Sequence, residues 1–427
     1  MDHPASHLQP GVNGLDQRLR GSVEEWLAAL VAGTRDVGRL LGASAEEQER
    51  VGSRYTLREI GHQPVTWVET ASLVAGHAGE IAAEVAALGA GGTPGAIVLT
   101  GSGSSLYAGE CLAPALQAAL GMPVRAVPAG ELLIQPGAFL PARGPCLVVS
   151  FGRSGNSPES CGAIDAVREA APECRHLVVT CNPQGRLATR YRDDPRVRCV
   201  VLDDKTNDRS LVMTSSFTNM VLAVRLLGMS RDVGGYLAYG ATVARAGAHV
   251  LLRHSDALAG IGRGGYGSAV YLGSGCRHGS AREAALKMLE MTDGRVKTFT
   301  ETYLGLRHGP MCAIDDDALV VCFLASDPVT RAYEVDLVRE LGRKELGGRK
   351  VVVGHDVPAG LASGHDVVVD VPELEALGDS GAPLLDVLVG QLLAVFRCLA
   401  LGLRPDMPAD DGVINRVVQE FALHRRS

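Results

Sequence analysis

Val98-Leu99-Thr100-Gly101-Ser102-Gly103-Ser104 and Val270-Tyr271-Leu272-Gly273-Ser274-Gly275-Cys276 carry the same pattern twice in one chain. A short apolar run closing on Gly-Ser-Gly reads as a strand that turns sharply into a helix, a turn that glycine permits. Outward from the first copy, further short apolar runs fall at 96–100, 124–127, 146–151, 177–181 and 198–202. From the second they fall at 268–272, 296–300, 319–325, 350–353 and 366–371. None alternates polar with apolar, as expected of strands covered on both faces. Helical patterns lie between them, and βαβα order predicts a parallel sheet. The expected fold class is therefore α/β, with two tandem doubly wound, flavodoxin-like parallel-sheet domains. The expected units are an N-terminal helical extension over 1–64, a first domain over 65–235 and a second over 250–427. A linker is expected near 234–263, with a helical stretch near 241–259 inside it; a long Ala-rich helix is expected over about 64–88, and a helix start at Ser44-Ala45-Glu46-Glu47.

The chain has 427 residues, long enough for two or three domains at roughly 150 residues each. Apolar residues make up 46% and charged residues 21%, which suits a large core and excludes wholesale disorder. The net charge of −7 is spread along the chain, and no basic block exists to neutralise a phosphate backbone, so nucleic acid is excluded as the main partner. The stretch from Met1 to Pro10 is polar and lacks the apolar run of a signal peptide. The apolar stretch from Leu384 to Leu403 is interrupted by Asp386, Gln391 and Arg397, and reads as a buried helix rather than a membrane span. The ten cysteines stand singly, the pattern of reduced thiols in the cytoplasm. No His, Cys or Asp cluster has metal-ligand spacing, so no metal is expected.

Three constellations carry chemistry. In the loop Gly101-Ser102-Gly103-Ser104, the amides opening the following helix favour an anion. Leu106 stands where a dinucleotide fingerprint needs a third glycine, and Glu131 comes late for its acidic residue, so no nucleotide cofactor is expected. A tight βα turn without a ligand remains the alternative. The second is Ser150-Phe151-Gly152-Arg153-Ser154-Gly155-Asn156-Ser157-Pro158-Glu159-Ser160, directly after a strand. Its small hydroxyl and amide side chains, with free backbone N–H groups, suit a compact dianion such as a sugar phosphate. The alternative is a serine-rich helix cap, for which one hydroxyl suffices. In the third, Glu283, Lys287 and Glu290 stand at i, i+4 and i+7 on a helix and share one face, with Leu286 and Leu289 on the packing side. A surface ion pair is the alternative. His308 follows in a Gly/Pro-bounded loop, able to exchange protons near neutral pH.

Taken in order, the Gly-Ser-Gly-Ser loop, the Ser-rich run, Glu283-Ala284-Ala285-Leu286-Lys287-x-x-Glu290 and Leu306-Arg307-His308-Gly309-Pro310 resemble tandem sugar isomerase (SIS) domains. The resemblance runs from about Tyr55 onward and takes in 58–64 and 413–419. It is greatest to the tagatose-6-phosphate ketose/aldose isomerases, also described as galactosamine-6-phosphate deaminases. The isomerase half of glucosamine-6-phosphate synthase is a more distant relative. The resemblance implies that Glu290 moves a proton between C1 and C2, with Lys287 beside it. It implies that His308 opens the sugar ring from a neighbouring subunit, hence a homodimer or larger homo-oligomer with shared sites. It places the phosphate on Ser102, Ser104, Ser154 and Ser157, with Gly103, Arg153, Gly155 and Asn156 in the same loops. Thr214, Ser215 and Ser216 would contact sugar hydroxyls, and Glu283 the substrate.

Three departures from the synthase stand out. No glutaminase domain fits into the first 60 residues, the C-terminal tail has no lysine for ring opening, and the synthase's Ser-Gln-Ser-Gly run becomes Gly152-Arg153-Ser154-Gly155, with one hydroxyl lost and a cation gained. Arg416 or Gln419 is expected in the region of the missing lysine. Glu290 is expected to be pushed up in pKa by burial, as a general base near neutral pH needs. The implied reaction converts galactosamine 6-phosphate to tagatose 6-phosphate and ammonia, with a small-molecule sugar phosphate as partner. Plain aldose–ketose isomerisation and a non-catalytic phosphosugar regulator are the alternatives. The regulator fits less well, since the N-terminal segment is acidic to neutral and there are two domains.

Overall fold

The structure is a computed structural model and describes residues 10–89, 95–409 and 412–424; most of the polar stretch Met1 to Pro10 lies outside them. All ten expected strands are present. The first sheet holds β1 (Ala96–Gly101), β2 (Val124–Pro128), β3 (Cys146–Gly152), β4 (Arg175–Thr180) and β5 (Val197–Val201), in the order β2-β1-β3-β4-β5. The second holds β6 (Ser268–Leu272), β7 (Lys297–Glu301), β8 (Ala318–Phe323), β9 (Arg349–Gly354) and β10 (Val367–Asp370), in the order β7-β6-β8-β9-β10. Every pairing is parallel, and the two orders are the same topology repeated. Every residue of β1 and β3 is buried, which explains their unbroken apolar runs.

The repeated motif is also repeated in backbone geometry. Gly103 has φ 55° and ψ −127°, and Gly275 has φ 54° and ψ −125°. Each precedes a helix, Ser104–Leu120 in one domain and Cys276–Met291 in the other, and these two helices pack against each other. The approach is close: a Cβ on Gly279 would stand 2.6 Å from the backbone nitrogen of Cys111. One apolar core accordingly takes residues from both sheets, including Leu99, Leu147, Tyr271 and Phe323.

The helical stretch expected near 241–259 is present, but the region is no linker: it is a core helix, Val233–His249, continuing through a π-turn at Val250–His254 into Ser255–Gly262. Its glycines mislead the reading because they serve close packing. A Cβ on Gly247 would meet the Trp67 ring at 2.3 Å, and one on Gly240 would meet Ala71 at 2.7 Å. The expected long helix is two, Gln63–Ala75 and Ala78–Ala87, broken at Gly76, whose amide closes the first helix on Leu73. The helix Ala45–Val51 starts as expected, with the Ser44 hydroxyl accepting from the Glu47 amide at 3.2 Å. The segment before Tyr55 belongs to the core: Trp26, Leu30 and Val37 are fully buried, and the Trp26 indole donates to the Gly61 carbonyl at 2.7 Å.

Leu374–Ala400 is the one helix among the described residues long and apolar enough to cross a membrane, and it is buried within the protein. Its polar residues are matched inside. Asp386 takes the Arg277 guanidinium, and Gln391 accepts from Gln63 at 2.7 Å and donates to the Thr214 carbonyl at 3.2 Å.

The carboxyl edge of the second sheet is closed by its own carboxylates. The Ala325 amide donates to Glu334 at 2.6 Å, and the Ser326 and Asp327 amides donate to Asp379 at 2.6 and 3.3 Å. Those amides follow β8 as the Ser-rich run follows β3, so the position where a ligand anion would sit is filled. Burial holds the Glu334 carboxyl up at about 7, against the Ala325 amide that stabilises its anion. A carboxyl raised in the folded state contributes stability at low pH that is lost as pH rises through that value. Glu334→Gln keeps an acceptor for Ala325 without the charge. Its melting temperature should match wild type near pH 5 and exceed it at pH 8, by an equivalent of about 1–3 kcal/mol. Thermal melts across that range check this, and equal temperatures at pH 8 would refute it.

Candidate active site

At the carboxyl edge of the first sheet, where β1 and β3 lead into neighbouring helices, lies a cavity of about 510 Å³. Adjacent strands whose connections diverge leave such a crevice in open α/β sheets. Ser102, Gly103 and Ser104 form one wall, and Arg153, Ser154, Gly155 and Ser157 form the next. The alternative reading of the second loop as a serine cap does not hold. Ser157 precedes the helix Pro158–Ala170, yet its hydroxyl makes no capping hydrogen bond and lies on the cavity wall. Gly155 needs its positive φ of 65°, and a Cβ there would crowd Leu187 at 3.3 Å. The Ser105, Leu106 and Ser160 amides turn back to the carbonyls of Ser102, Gly103 and Ser157, and the two helix N-termini open onto one wall, a cradle suited to an anion.

Glu290 comes to this cradle from the second domain. It lines the same cavity, with its side chain 25% exposed. Lys287, fully buried behind it, ties the two domains together. Its ammonium lies 2.6 Å from Glu290 and 3.3 Å from Glu283, and donates to the Ser104 hydroxyl at 3.0 Å. Burial works against that ammonium, but the two carboxylates outweigh it and hold its pKa above the usual lysine value.

Several expectations are corrected. Burial pushes the Glu283 carboxyl up to about 7, with Lys287 opposing and Glu290 adding to the rise. Glu283 and Lys287 are wholly enclosed and do not reach the cavity wall, so both act through Glu290 and Ser104. Leu289 is exposed and Leu286 half-buried, because Ala284, Ala285 and Met288 make the packing face. Thr214, Ser215 and Ser216 are fully buried away from the cavity. Asp208 engages them as the cap of the helix Ser215–Arg225, accepting from all three amides at 2.8–3.0 Å and from the Thr214 and Ser216 hydroxyls. Asn156 is off the wall as well, its side-chain oxygen accepting from the Arg186 amide at 3.0 Å. His308 is exposed in the loop after Tyr303–Leu306 and does not line the cavity of its own chain.

Further residues line the cavity, and of these Ser105, Leu211, Met213 and Asn415 were not marked out by sequence. Ser105 and Ser160 extend the two hydroxyl-bearing loops, while Leu211 and Met213 come from the segment after β5. The C-terminal tail crosses back to this edge, and Asn415, Arg416 and Gln419 complete the wall. Their only sequence signal was the resemblance over 413–419. Among the described residues, no group of three or more His, Cys, Asp or Glu side chains is placed to hold a metal ion.

No family model matches the chain. It is 38% identical over 375 residues to the AgaS protein of Streptomyces coelicolor, covering 87% of this chain and 95% of that one. It is 33% identical over 380 residues to the D-galactosamine-6-phosphate deaminase AgaS of a Shewanella species, covering 88% and 93%. Among solved structures, the tagatose-6-phosphate ketose/aldose isomerase of Escherichia coli superposes with a TM-score of 0.80 at 30% identity, over 90% of this chain and 98% of that one. With two Ser-rich loops and the Glu-Lys-Glu face brought together, and relatives of this similarity over nearly full length, the chain belongs to the AgaS family of tandem sugar isomerase domain proteins.

Proposed function

We propose that this protein deaminates and isomerises a hexosamine 6-phosphate, converting galactosamine 6-phosphate to tagatose 6-phosphate and ammonia. The observation that carries the proposal is the shared wall on which two Ser-rich loops of one domain meet Glu290 of the other. The phosphate sits on Ser102, Ser104, Ser154 and Ser157, which sets the distance from C6 back to the reacting end. Glu290 takes the C2 proton of the open-chain amino aldehyde and returns it at C1 through an enolamine, as a general base. That shift leaves a C2 imine with a C1 hydroxyl. Water adds to the imine carbon and ammonia departs, leaving the ketose. Lys287, held by Glu283, anchors Glu290 to the phosphate loop through Ser104.

His308 opens the ring from a neighbouring subunit of a homo-oligomer. Its exposure, and its absence from the cavity of its own chain, support this reading. The ten unpaired cysteines suit work in the cytoplasm. The test is ammonia release from galactosamine 6-phosphate, glucosamine 6-phosphate and unphosphorylated galactosamine, with the ketose product identified. Release from a phosphorylated amino sugar, and none from the free sugar, is expected. Ketose formation from an aldose 6-phosphate with no ammonia from any amino sugar would establish plain isomerisation instead.

A further inference from the structure

Arg153 lies in the middle of the phosphate loop, only 6% exposed, yet its guanidinium does not end on that loop. Its hydrogen bonds go to main-chain carbonyls of two distant segments. One nitrogen donates to the carbonyls of Leu211 at 3.0 Å and Ser210 at 3.5 Å, and the other to the carbonyl of Arg416 in the C-terminal tail. Arg416 answers in the opposite direction. Its guanidinium donates to the carbonyl of Asp208 at 2.8 Å and to the Asn207 side chain at 3.0 Å. The two arginines therefore cross between the tail and the segment 207–211, each bonding the backbone near the other.

That segment is pinned from behind. Glu59, 6% exposed on the helix Thr56–Gly61, accepts from the amides of Arg209 at 2.6 Å and Ser210 at 3.4 Å, and from the Ser210 hydroxyl at 2.5 Å. The tail is tied before and after the crossing. Asp406 accepts from the Thr56 amide at 2.7 Å, and Glu420 pairs with Arg186. Between those ties run Ile414, Asn415, Arg416 and Gln419, all on the cavity wall.

We infer that Arg153 is a positioning residue, which with Arg416 holds the C-terminal tail closed over the sugar-phosphate cavity while Glu59 orients the carbonyls it grips. The inference rests on the proposed reading of this cavity as the sugar-phosphate site. A guanidinium that bonds carbonyls of separate segments is a staple, because its planar fork fixes their spacing. An ammonium in its place has neither the reach nor the geometry.

The experiment compares wild type with Arg153→Lys, Arg416→Ala and Glu59→Gln. Two readouts are needed: hydrogen exchange of the amides over 412–424 without substrate, and the KM and kcat of ammonia release from galactosamine 6-phosphate. Arg153→Lys and Arg416→Ala should each raise tail exchange by about tenfold or more and raise KM by about tenfold, with kcat little changed. Glu59→Gln should speed exchange of the Arg209 and Ser210 amides, with a smaller rise in KM. A raised KM with tail exchange unchanged would make Arg153 a direct phosphate ligand and overturn the inference. Faster tail exchange with KM unchanged would overturn it too, since the tail would then not close the cavity. If Arg153→Lys fails to fold, Arg416→Ala carries the test from the tail side. Exchange is read without substrate, so the staple can fail while turnover stands. Inactivity of wild type on every sugar phosphate would instead remove the functional reading and leave the staple to be decided by exchange.

Discussion

Glu290→Gln should lower kcat for ammonia release by about 10²–10⁴-fold while the sugar phosphate still binds. The amide has nearly the same shape, and its oxygen still accepts from the Lys287 ammonium, which stands 2.6 Å from the carboxylate. The cradle of Ser102, Ser104, Ser154 and Ser157 is untouched, so the phosphate keeps its partners. What disappears is the lone pair able to take the C2 proton and return it at C1. Steady-state ammonia release, with calorimetric titration of galactosamine 6-phosphate, separates the two effects. A kcat within a few-fold of wild type would exclude Glu290 as the base. The proposed contribution of His308 by a neighbouring subunit adds a stricter arm. Mixed oligomers of Glu290→Gln and His308→Ala subunits should regain activity that neither variant has alone, because one interface then holds an intact pair.

The largest stability effect is expected at a pair with no exposure at all. Arg277 and Asp386 are fully buried, with guanidinium to carboxylate distances of 2.5 and 2.9 Å, and the Ser280 hydroxyl adds a bond at 2.8 Å. Arg277 also donates to the carbonyls of Leu324 and Val353. One pair thus joins the helix Cys276–Met291, the helix Leu374–Ala400 and the carboxyl ends of β8 and β9. Asp386→Ala strands a guanidinium in the core and should cost about 3–5 kcal/mol, read as a lower denaturation midpoint and poor soluble yield. The same helix carries Glu283, Lys287 and Glu290, so ammonia release should fall with it. Arg277→Met combined with Asp386→Leu should recover much of the stability, since burying an ion pair already costs desolvation. A midpoint for Asp386→Ala equal to wild type would show that the pair is not what holds these elements together.

Where the chain declares its structure and where it does not follows from the range of the forces involved. Strands such as Cys146–Gly152 were legible because a short β-branched run buried on both faces admits little else. The face shared by Glu283, Lys287 and Glu290 was legible because helical spacing is local. The stretch 234–263 was misread because Gly240 and Gly247 look like linker residues until Ala71 and Trp67 are placed against them. Thr214, Ser215 and Ser216 were misread because the Asp208 carboxylate that takes their amides, and the Thr214 and Ser216 hydroxyls, belongs to a turn no periodicity marks. The end of the Arg153 side chain on the carbonyls of Ser210, Leu211 and Arg416 was not legible, because sequence proximity to serines says nothing of where a long side chain ends.

The sequence by itself determined two parallel sheets, the Gly-Ser-Gly turn at the head of each and one acidic-basic-acidic helix face, all products of residue spacing within a few turns or strands. Only the tertiary structure decided which of the two edges stays open. Glu334 and Asp379 arrive from other helices to saturate the amides after β8, while the tail with Asn415, Arg416 and Gln419 arrives to wall the edge after β3. The same tertiary packing left Glu290 on the cavity wall and buried Glu283, since the helix that carries both lies against Ser104–Leu120 at an approach that Gly279 makes possible.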